Sequence, residues 1–159
     1  MDELEIRTAQ PSDVPQISAL ISDLAHYFTL DSSGKGADHF LSSVSVKAIE
    51  RYISSPTFYY LVGFIGERLA GVVAIREGKH LFHLFVSPEF HRQGVARVLW
   101  YRARAAALQD GNPGIFTVNS TPFAVPVYER FGFRAVGPRT ELNGIAYVPM
   151  ELKPSGKNQ

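Results

Sequence analysis

One segment restricts the fold more than any other: an apolar run that passes through a short turn into a long helix. The run HLFHLFV, residues 80–86, is apolar on both faces, which is typical of a strand in the middle of a sheet. A turn with Pro88 and Gly94 follows, and the Ala/Arg-rich stretch over 93–109 predicts a helix. Another strand, IFTVNS, begins after DGNPG. This strand–helix–strand unit, residues 80–119, predicts one parallel pair in an otherwise antiparallel sheet.

Shorter elements surround this unit, and each has a local signal. LEIRTA predicts a first strand, and a helix follows it with apolar residues three or four apart. Residues 29–43 are small and polar, which predicts a long loop, and SVKAIERYISS predicts a short helix. Gly-Glu-Arg at 66–68 and Asn143-Gly144 predict two β-hairpins. We expect an α/β (α+β) fold with a mixed, mostly antiparallel twisted sheet of about seven strands and about four helices.

Composition limits the classes of protein that this chain can belong to. Its 159 residues fit one domain, which we place at 1–153, with a polar tail at 154–159. The net charge of +1 disfavours a nucleic-acid-binding protein, and the absence of cysteine excludes a disulfide framework. The N-terminus is acidic, unlike a signal peptide, and no apolar run has the ~20 residues of a membrane span. We expect a cytoplasmic protein without a membrane or nucleic-acid partner.

The turn before the long helix has the features of an anion-binding site. The first N–H groups of a helix lack internal partners, and the helix dipole adds positive charge there. Gly94 allows a ligand to approach the backbone, and Ala96 keeps the next outward position small. Arg92 and Arg97 add formal charge. These features describe a phosphate or pyrophosphate cradle, although a capped helix with a flexible entry has the same pattern. The glycines of a P-loop and of a dinucleotide-binding loop are absent.

The segment LFVSPEFHRQGVARVLW resembles the acetyl-CoA-binding segment of the GNAT superfamily of N-acetyltransferases. Two further stretches are similar to that family in the same order, the hairpin GERLAGVVAIRE and the segment VNSTPFAVPVYERFGF. The matching positions are His91, Arg92, Gln93, Gly94, Val95, Ala96, Asn119, Ala124, Tyr128, Gly132 and Phe133. His91 stands where the family usually has Gln or Arg, and a neutral histidine donates only one hydrogen bond. We expect binding to survive, with a modest loss of affinity, because backbone N–H groups do most of the holding.

The resemblance implies an acetyl-CoA site that consists largely of backbone. Acetyl-CoA would lie in a cleft where the two central parallel strands splay apart, with its pantetheine arm beside Leu84 and Val86. An N–H group near Phe85 or Val86 would stabilise the oxyanion as an amine attacks the thioester. The pyrophosphate would bind the N–H groups of the turn that follows His91, namely those of Arg92, Gln93, Gly94, Val95, Ala96 and Arg97.

The resemblance also suggests which side chains act in catalysis. Tyr128 would contact CoA and protonate the leaving thiolate, and Asn119 would bond CoA or an ordered water. His80 is the candidate base that takes a proton from the amine through water, because its ordinary pKa is near 6.5. His83 lies three residues further along the strand, so strict alternation places it on the opposite face. With no cysteine and no third ligand nearby, we expect no metal site.

The resulting hypothesis is an N-acetyltransferase that moves an acetyl group from acetyl-CoA to a primary amine by direct attack in a ternary complex. Residues 29–43 and 138–147 would form the acceptor site, and their mixed charges leave open whether the acceptor is a small molecule or a peptide. A non-catalytic acyl-CoA-binding module and a transferase of a longer acyl group remain as alternatives. Exposed strand edges also leave a homodimer open.

Overall fold

A computed structural model describes residues 3–154. The strands in this range are β1 Leu4–Thr8, β2 Phe58–Ile65, β3 Arg68–Arg76, β4 His80–Val86, β5 Phe116–Ser120, β6 Arg134–Ala135, β7 Thr140–Leu142 and β8 Ile145–Leu152. The α-helices are α1 Val14–Leu24, α2 Asp38–Ser42, α3 Val46–Ser54, α4 Val95–Gln109 and α5 Val125–Arg130. The predicted polar tail lies outside the described residues except for Pro154.

The sheet is antiparallel except at its centre. Its strand order is β1-β2-β3-β4-β5-β8-β6, and β7 pairs with β8. β4 and β5 are parallel, but only His80 with Thr117 and Leu81 with Val118 are paired. Beyond Leu81 the two strands separate, whereas β4 stays paired with β3 as far as Val86. The predicted mixed sheet with a central parallel pair that splays is therefore confirmed.

Two helical layers cover the faces of the sheet. On one face, which we call the α4 face, α4 and α5 pack over Val73, and Trp100 is fully buried. On the other, the α1 face, α1 and α3 pack over Val72, and Ile17 is fully buried. Successive residues of β3 therefore contribute to opposite cores, as the pleat of a strand requires. Within residues 3–154, no helix combines the length and apolar character that crossing a membrane requires.

The numbers of strands and helices differ slightly from the prediction of about seven and about four. Within the described range the structure has eight strands and five α-helices. The C-terminal stretch forms three strands rather than two because Gly137 and Pro138 interrupt it, and Pro138 has no N–H for a ladder. β6 and β7 then pair with opposite ends of β8. The additional helix, α2, lies inside the predicted loop at 29–43.

A bulge in β4 changes the face to which one of its histidines points. Ala74 of β3 pairs with His83 and Ile75 pairs with Leu81, so Phe82 is left without a partner on β3. The rings of Phe82 and His83 consequently lie on the same α1 face, stacked with centroids 4.3 Å apart. Strict alternation along β4 was therefore the wrong assumption, and His83 does not lie on the α4 face.

A buried carboxylate fastens the start of α1 to β1. The Arg7 guanidinium donates to Asp13 through Nη1 to Oδ2 at 2.7 Å and Nη2 to Oδ1 at 2.9 Å. The Gln10 N–H donates to Asp13 Oδ2 at 2.7 Å. These bonds, chiefly those from Arg7, hold the pKa of the Asp13 carboxyl below its usual range. The pair thus connects the first strand to the first helix.

We expect Asp13→Asn to lower the free energy of unfolding by about 1–3 kcal/mol, because the buried carboxylate loses its charge and one acceptor. The stabilisation from Asp13 is present above the ordinary carboxyl pKa of about 4 and is lost as the pH falls through the lowered pKa. Urea unfolding at about pH 7 and about pH 2 measures both effects. The difference between the two proteins should shrink in acid, and an equal difference at both values would contradict the assignment.

Candidate active site

A cleft of about 900 Å³ opens on the α4 face, bounded by the end of β4, the turn before α4, and α5. Its lining residues include Leu84, Val86, His91, Arg92, Gly94, Val95, Ala96, Arg97 and Tyr128, all of which the sequence analysis assigned to acetyl-CoA. The separation of β5 from β4 explains the position of the cleft. In the described part of the chain, the β5-facing edge of β4 has no strand partner beyond Leu81, so its backbone groups are available to an extended ligand.

The turn before α4 presents backbone N–H groups to the cleft. Arg92 and Gly94 both adopt left-handed conformations, with φ of 65° and 78°. Such alternation directs successive N–H groups into one concave surface that suits an anion. The first hydrogen bond of α4 runs from the Val98 N–H to the Gly94 carbonyl at 3.1 Å, so the N–H groups of the preceding helical residues have no partner inside the helix.

Gly94 suits this turn through its backbone conformation, and it leaves the space beside the turn open. Its φ of 78° is a conformation that residues with a side chain rarely adopt, and a Cβ built there would have no atom within 4 Å. The space beside Gly94 is therefore open and lies where the N–H groups converge. Open space beside converging N–H groups is a geometry that can accommodate an anion.

His91 fastens the turn to the strand. Its Nε2 lies 2.8 Å from the Val86 carbonyl oxygen, so Nε2–H donates and the ring is held against the end of β4. His91 thus stands where the GNAT motif usually has Gln or Arg, and its Nε2–H already donates to the Val86 carbonyl. Positive charge at the cleft comes instead from Arg92, Arg97 and Arg130, and among the described residues no acidic side chain lines the cleft.

Tyr128 of α5 lies in the wall of the cleft. It is 7% exposed, and its ring packs against Phe131 and Phe133 with centroids 6.1 and 5.6 Å away. Its hydroxyl has no hydrogen-bond partner within residues 3–154. In that range Trp100 Nε1 is the only fully buried side-chain nitrogen or oxygen without a partner, so the Tyr128 hydroxyl is not fully buried and reaches the cleft surface. Burial raises the pKa of Tyr128, which keeps the phenol protonated and able to donate.

Two residues with predicted roles lie away from the cleft. His80 is at the opposite end of β4 from Val86, about 20 Å away along the strand, and its Nδ1 lies 2.7 Å from Thr117 Oγ1. Burial, with a smaller contribution from Arg76, lowers the pKa of His80 to about 4. Asn119 alternates with the buried Val118, is exposed, and belongs to the α1 face. Neither residue is among those that line the cleft.

Two other residues with predicted contacts, Phe85 and Gln93, could serve the cleft only through their backbone. The Phe85 side chain points to the α1 face, where its ring lies 5.8 Å from that of Phe28, so only its backbone could serve the cleft. Gln93 is exposed, and its Nε2 donates to the Glu89 carbonyl at 3.3 Å. Its contribution to an anion site is therefore limited to its main chain.

An aromatic wall of the cleft was not predicted. Tyr101, Phe123 and Phe131 line it together with Arg130, and Phe123 is 75% exposed. A large exposed apolar ring beside a cationic cleft suits a ligand with an apolar or aromatic part. Tyr101 stands one helical turn after Arg97, a spacing that could have indicated a shared face. No sequence signal places Phe123 there.

The segments expected to bind the acceptor meet on the α1 face. The Leu30 N–H donates to the Gly144 carbonyl at 2.8 Å, and Thr29 forms a β-bridge with Ile145. A Cβ at Gly144 would come within 2.4 Å of the Gly36 carbonyl oxygen, so the hairpin turn and the loop are in close backbone contact. The loop at 29–43 is therefore held against the β7–β8 hairpin rather than free in solvent.

Comparisons with known proteins agree with this geometry. A family model described as the acetyltransferase (GNAT) domain matches residues 28–154. A thialysine N-ε-acetyltransferase of Caenorhabditis elegans is 28% identical over 120 residues, which cover 70% of this chain and 69% of that protein. Among solved structures, a GCN5-related N-acetyltransferase from Rhodopseudomonas palustris has a TM-score of 0.79 at 17% identity, covering 97% of this chain and 98% of its own. The PaiA N-acetyltransferase of Thermoplasma acidophilum, solved with coenzyme A, has a TM-score of 0.76 at 17% identity, with coverage of 96% and 99%. The two structural likenesses concern the fold.

Proposed function

We propose that this chain, which belongs to the GNAT family of acetyltransferases, transfers the acetyl group of acetyl-CoA to a primary amine. The observation that supports the proposal most directly is the combination of an open β4 edge with a left-handed turn that leads into N–H groups without a partner inside α4. An extended chain that ends in a pyrophosphate matches both. The amine is supported by the thialysine N-ε-acetyltransferase to which the chain is similar.

Each part of the cleft has a chemical task in this reaction. The turn residues from Arg92 to Arg97 hold the pyrophosphate through backbone N–H groups, and the edge of β4 at Leu84 and Val86 pairs with the pantetheine arm. A main-chain N–H near Phe85 stabilises the oxyanion that forms when the amine attacks the thioester carbonyl. Tyr128 then donates its proton to the departing thiolate, the proton that the amine loses passes to water in the cleft, and water returns a proton to the Tyr128 phenolate.

The remaining parts of the proposal concern the protein as a whole. We propose a single acetyltransferase domain at 1–153, located in the cytoplasm, with an acceptor site on the α1 face between the loop at 29–43 and the β7–β8 hairpin. Acyl groups longer than acetyl and a homodimer remain open alternatives. The proposed mechanism assigns no step to a metal ion.

The proposed ligand predicts a specific thermal stabilisation. Acetyl-CoA or CoA at about 100 times its dissociation constant should add about 2.7 kcal/mol to the free energy of unfolding. For a chain of this length that corresponds to a rise in thermal midpoint of about 5–10 °C. NAD serves as the control, because it has a pyrophosphate and an adenine but no pantetheine. A shift with acetyl-CoA and CoA alone supports the site, and no shift with either would contradict it.

Turnover separates an enzyme from a binding module. Release of free CoA thiol is followed with a panel of primary amines, with acetyl-CoA and with a longer acyl-CoA as donors. Amine-dependent release supports the transferase. Thermal stabilisation without release from any amine would instead favour the non-catalytic acyl-CoA-binding module.

A further inference from the structure

A buried histidine–tyrosine pair lies on the α1 face and has no task in the mechanism above. His83 is 6% exposed and Tyr60 is 2% exposed, and the Tyr60 hydroxyl is 2.8 Å from His83 Nδ1. Four aromatic rings surround the imidazole. Their centroids lie 5.8 Å away for Tyr52, 5.8 Å for Tyr60, 4.3 Å for Phe82 and 5.4 Å for Phe85. His83 is therefore a polar group in an otherwise aromatic wall.

The position of the pair relates it to the acceptor. His83 lies two residues beyond Leu81, where β5 has left β4, and the bulge at Phe82 turns the imidazole to the α1 face. Its ring neighbour Phe85 contacts Phe28, which precedes the loop that is held against the β7–β8 hairpin. A molecule that approaches the thioester from the α1 face therefore passes this wall.

Tyr60 determines which nitrogen of His83 carries the hydrogen. Among residues 3–154 the Tyr60 hydroxyl has no hydrogen-bond partner besides His83 Nδ1. The neighbouring Tyr52 hydroxyl donates elsewhere, to the Ser43 carbonyl at 2.7 Å. If Nδ1–H donated to Tyr60, the phenol hydrogen would be buried without an acceptor, which costs free energy. The favoured arrangement has the Tyr60 O–H donating to Nδ1, and Nε2 then carries the ring hydrogen.

The second nitrogen of His83 is accessible although the residue is nine-tenths buried. Nε2 has no hydrogen-bond partner within the described range. In that range, Trp100 Nε1 is the only fully buried side-chain nitrogen or oxygen atom without a partner, so Nε2 is not fully buried. Nε2–H therefore reaches the accessible surface. Burial lowers the pKa of His83 to about 3, and the titratable groups that face it, Tyr60 and Tyr52, have pKa values that burial raises. The imidazole is thus a neutral donor and a poor base.

We propose that His83 donates a hydrogen bond from Nε2 to an oxygen of the acceptor molecule, with Tyr60 as the positioning residue that fixes the tautomer. The inference rests on the proposed acetyl transfer and narrows its acceptor. The favoured class is an amine that also bears a carbonyl or carboxylate oxygen, such as an amino acid or a peptide. A plain alkylamine or polyamine would leave the donor unpaired, which penalises binding.

The tautomer is tested on the free protein, without any acceptor. Nitrogen NMR of the imidazole should show Nε2 protonated and Nδ1 unprotonated at every value between about pH 5 and pH 8. His80, also neutral on the same face, serves as an internal comparison. In Tyr60→Phe the tautomer should no longer be fixed, and His83 should show both the Nδ1-protonated and the Nε2-protonated form. A protonated Nδ1 in the wild-type protein, or a His83 that titrates in this range, would overturn the proposal.

The oxygen preference is tested with matched amines. Lysine is compared with cadaverine, which lacks only the carboxylate. Phenylalanine amide is compared with phenethylamine, which lacks only the amide group with its carbonyl. We expect kcat/KM to be about 10–100-fold higher for the oxygen-bearing member of at least one pair, mostly through KM. His83→Phe should abolish that preference, and His80→Phe should retain it. Acetyl-CoA should stabilise all three proteins thermally.

Two results would overturn the role of His83 without touching acetyl transfer. One is a wild-type enzyme that turns over both members of each pair with equal kcat/KM. The other is a preference that His83→Phe retains in full. In either case turnover by the wild-type protein would show that the transferase stands and that His83 is only part of the aromatic core.

Discussion

Gly94→Glu is expected to weaken acetyl-CoA binding by at least about 100-fold while leaving the protein folded. The side chain would begin in open space, since a Cβ at this position has no atom within 4 Å. It would therefore extend into the region where the N–H groups of the turn converge, and its carboxylate would repel a pyrophosphate. A residue other than glycine at φ 78° also costs about 1–2 kcal/mol, which the free protein bears as well. Isothermal titration with acetyl-CoA and with CoA measures the loss of affinity.

Gly78 offers a matched control for this substitution. It has a φ of 72°, and a Cβ there also has no atom within 4 Å, but it lies in the turn between β3 and β4, away from the cleft. Gly78→Glu should therefore have the same strain and the same added charge, with unchanged affinity for acetyl-CoA. If Gly94→Glu binds as tightly as Gly78→Glu, the turn before α4 is not the pyrophosphate site.

The sequence predicted correctly those strands, turns and helices whose signals lie within a few neighbouring residues. The apolar run at 80–86, the turn with Gly94 and the helix after it occur where the sequence places them, because each signal lies within a few residues. The parallel pair follows from the strand–helix–strand order, because a helix between two strands is the usual crossover of a parallel pair. Asn143-Gly144 makes the predicted hairpin because both residues adopt positive φ. These features position most of the cleft.

The errors come from irregularities that one-dimensional periodicity does not record. The bulge at Phe82 depends on how β4 pairs with β3, and it moves His83 to the same face as its aromatic neighbours. The distance of His80 from the cleft depends on where β5 leaves β4, which is a property of two strands together. Phe123 likewise enters the cleft wall only through the packing of the turn before α5. A candidate base chosen by its ordinary pKa could not anticipate any of these.

Tyr128→Phe is expected to lower kcat by about 100-fold or more, with the dissociation constant of acetyl-CoA changed by less than about threefold. The aromatic ring and its packing remain, and only the hydroxyl that donates a proton at the cleft surface is lost. Removing the hydroxyl should cost little stability, because it has no hydrogen-bond partner within residues 3–154. Steady-state kinetics with an amine found in the screen, together with titration of acetyl-CoA, measures both quantities.

The pH dependence and a second tyrosine make this prediction specific. Since burial raises the pKa of Tyr128, the wild-type kcat should show no loss of a protonated phenol even at about pH 10, where an exposed phenol is half ionised. Tyr101 lines the same cleft but is 49% exposed, and Tyr101→Phe should leave kcat nearly unchanged. Equal turnover by Tyr128→Phe and the wild-type protein would contradict the acid role and leave protonation of the thiolate to water. A parallel rise in the acetyl-CoA dissociation constant would instead assign the Tyr128 hydroxyl to binding.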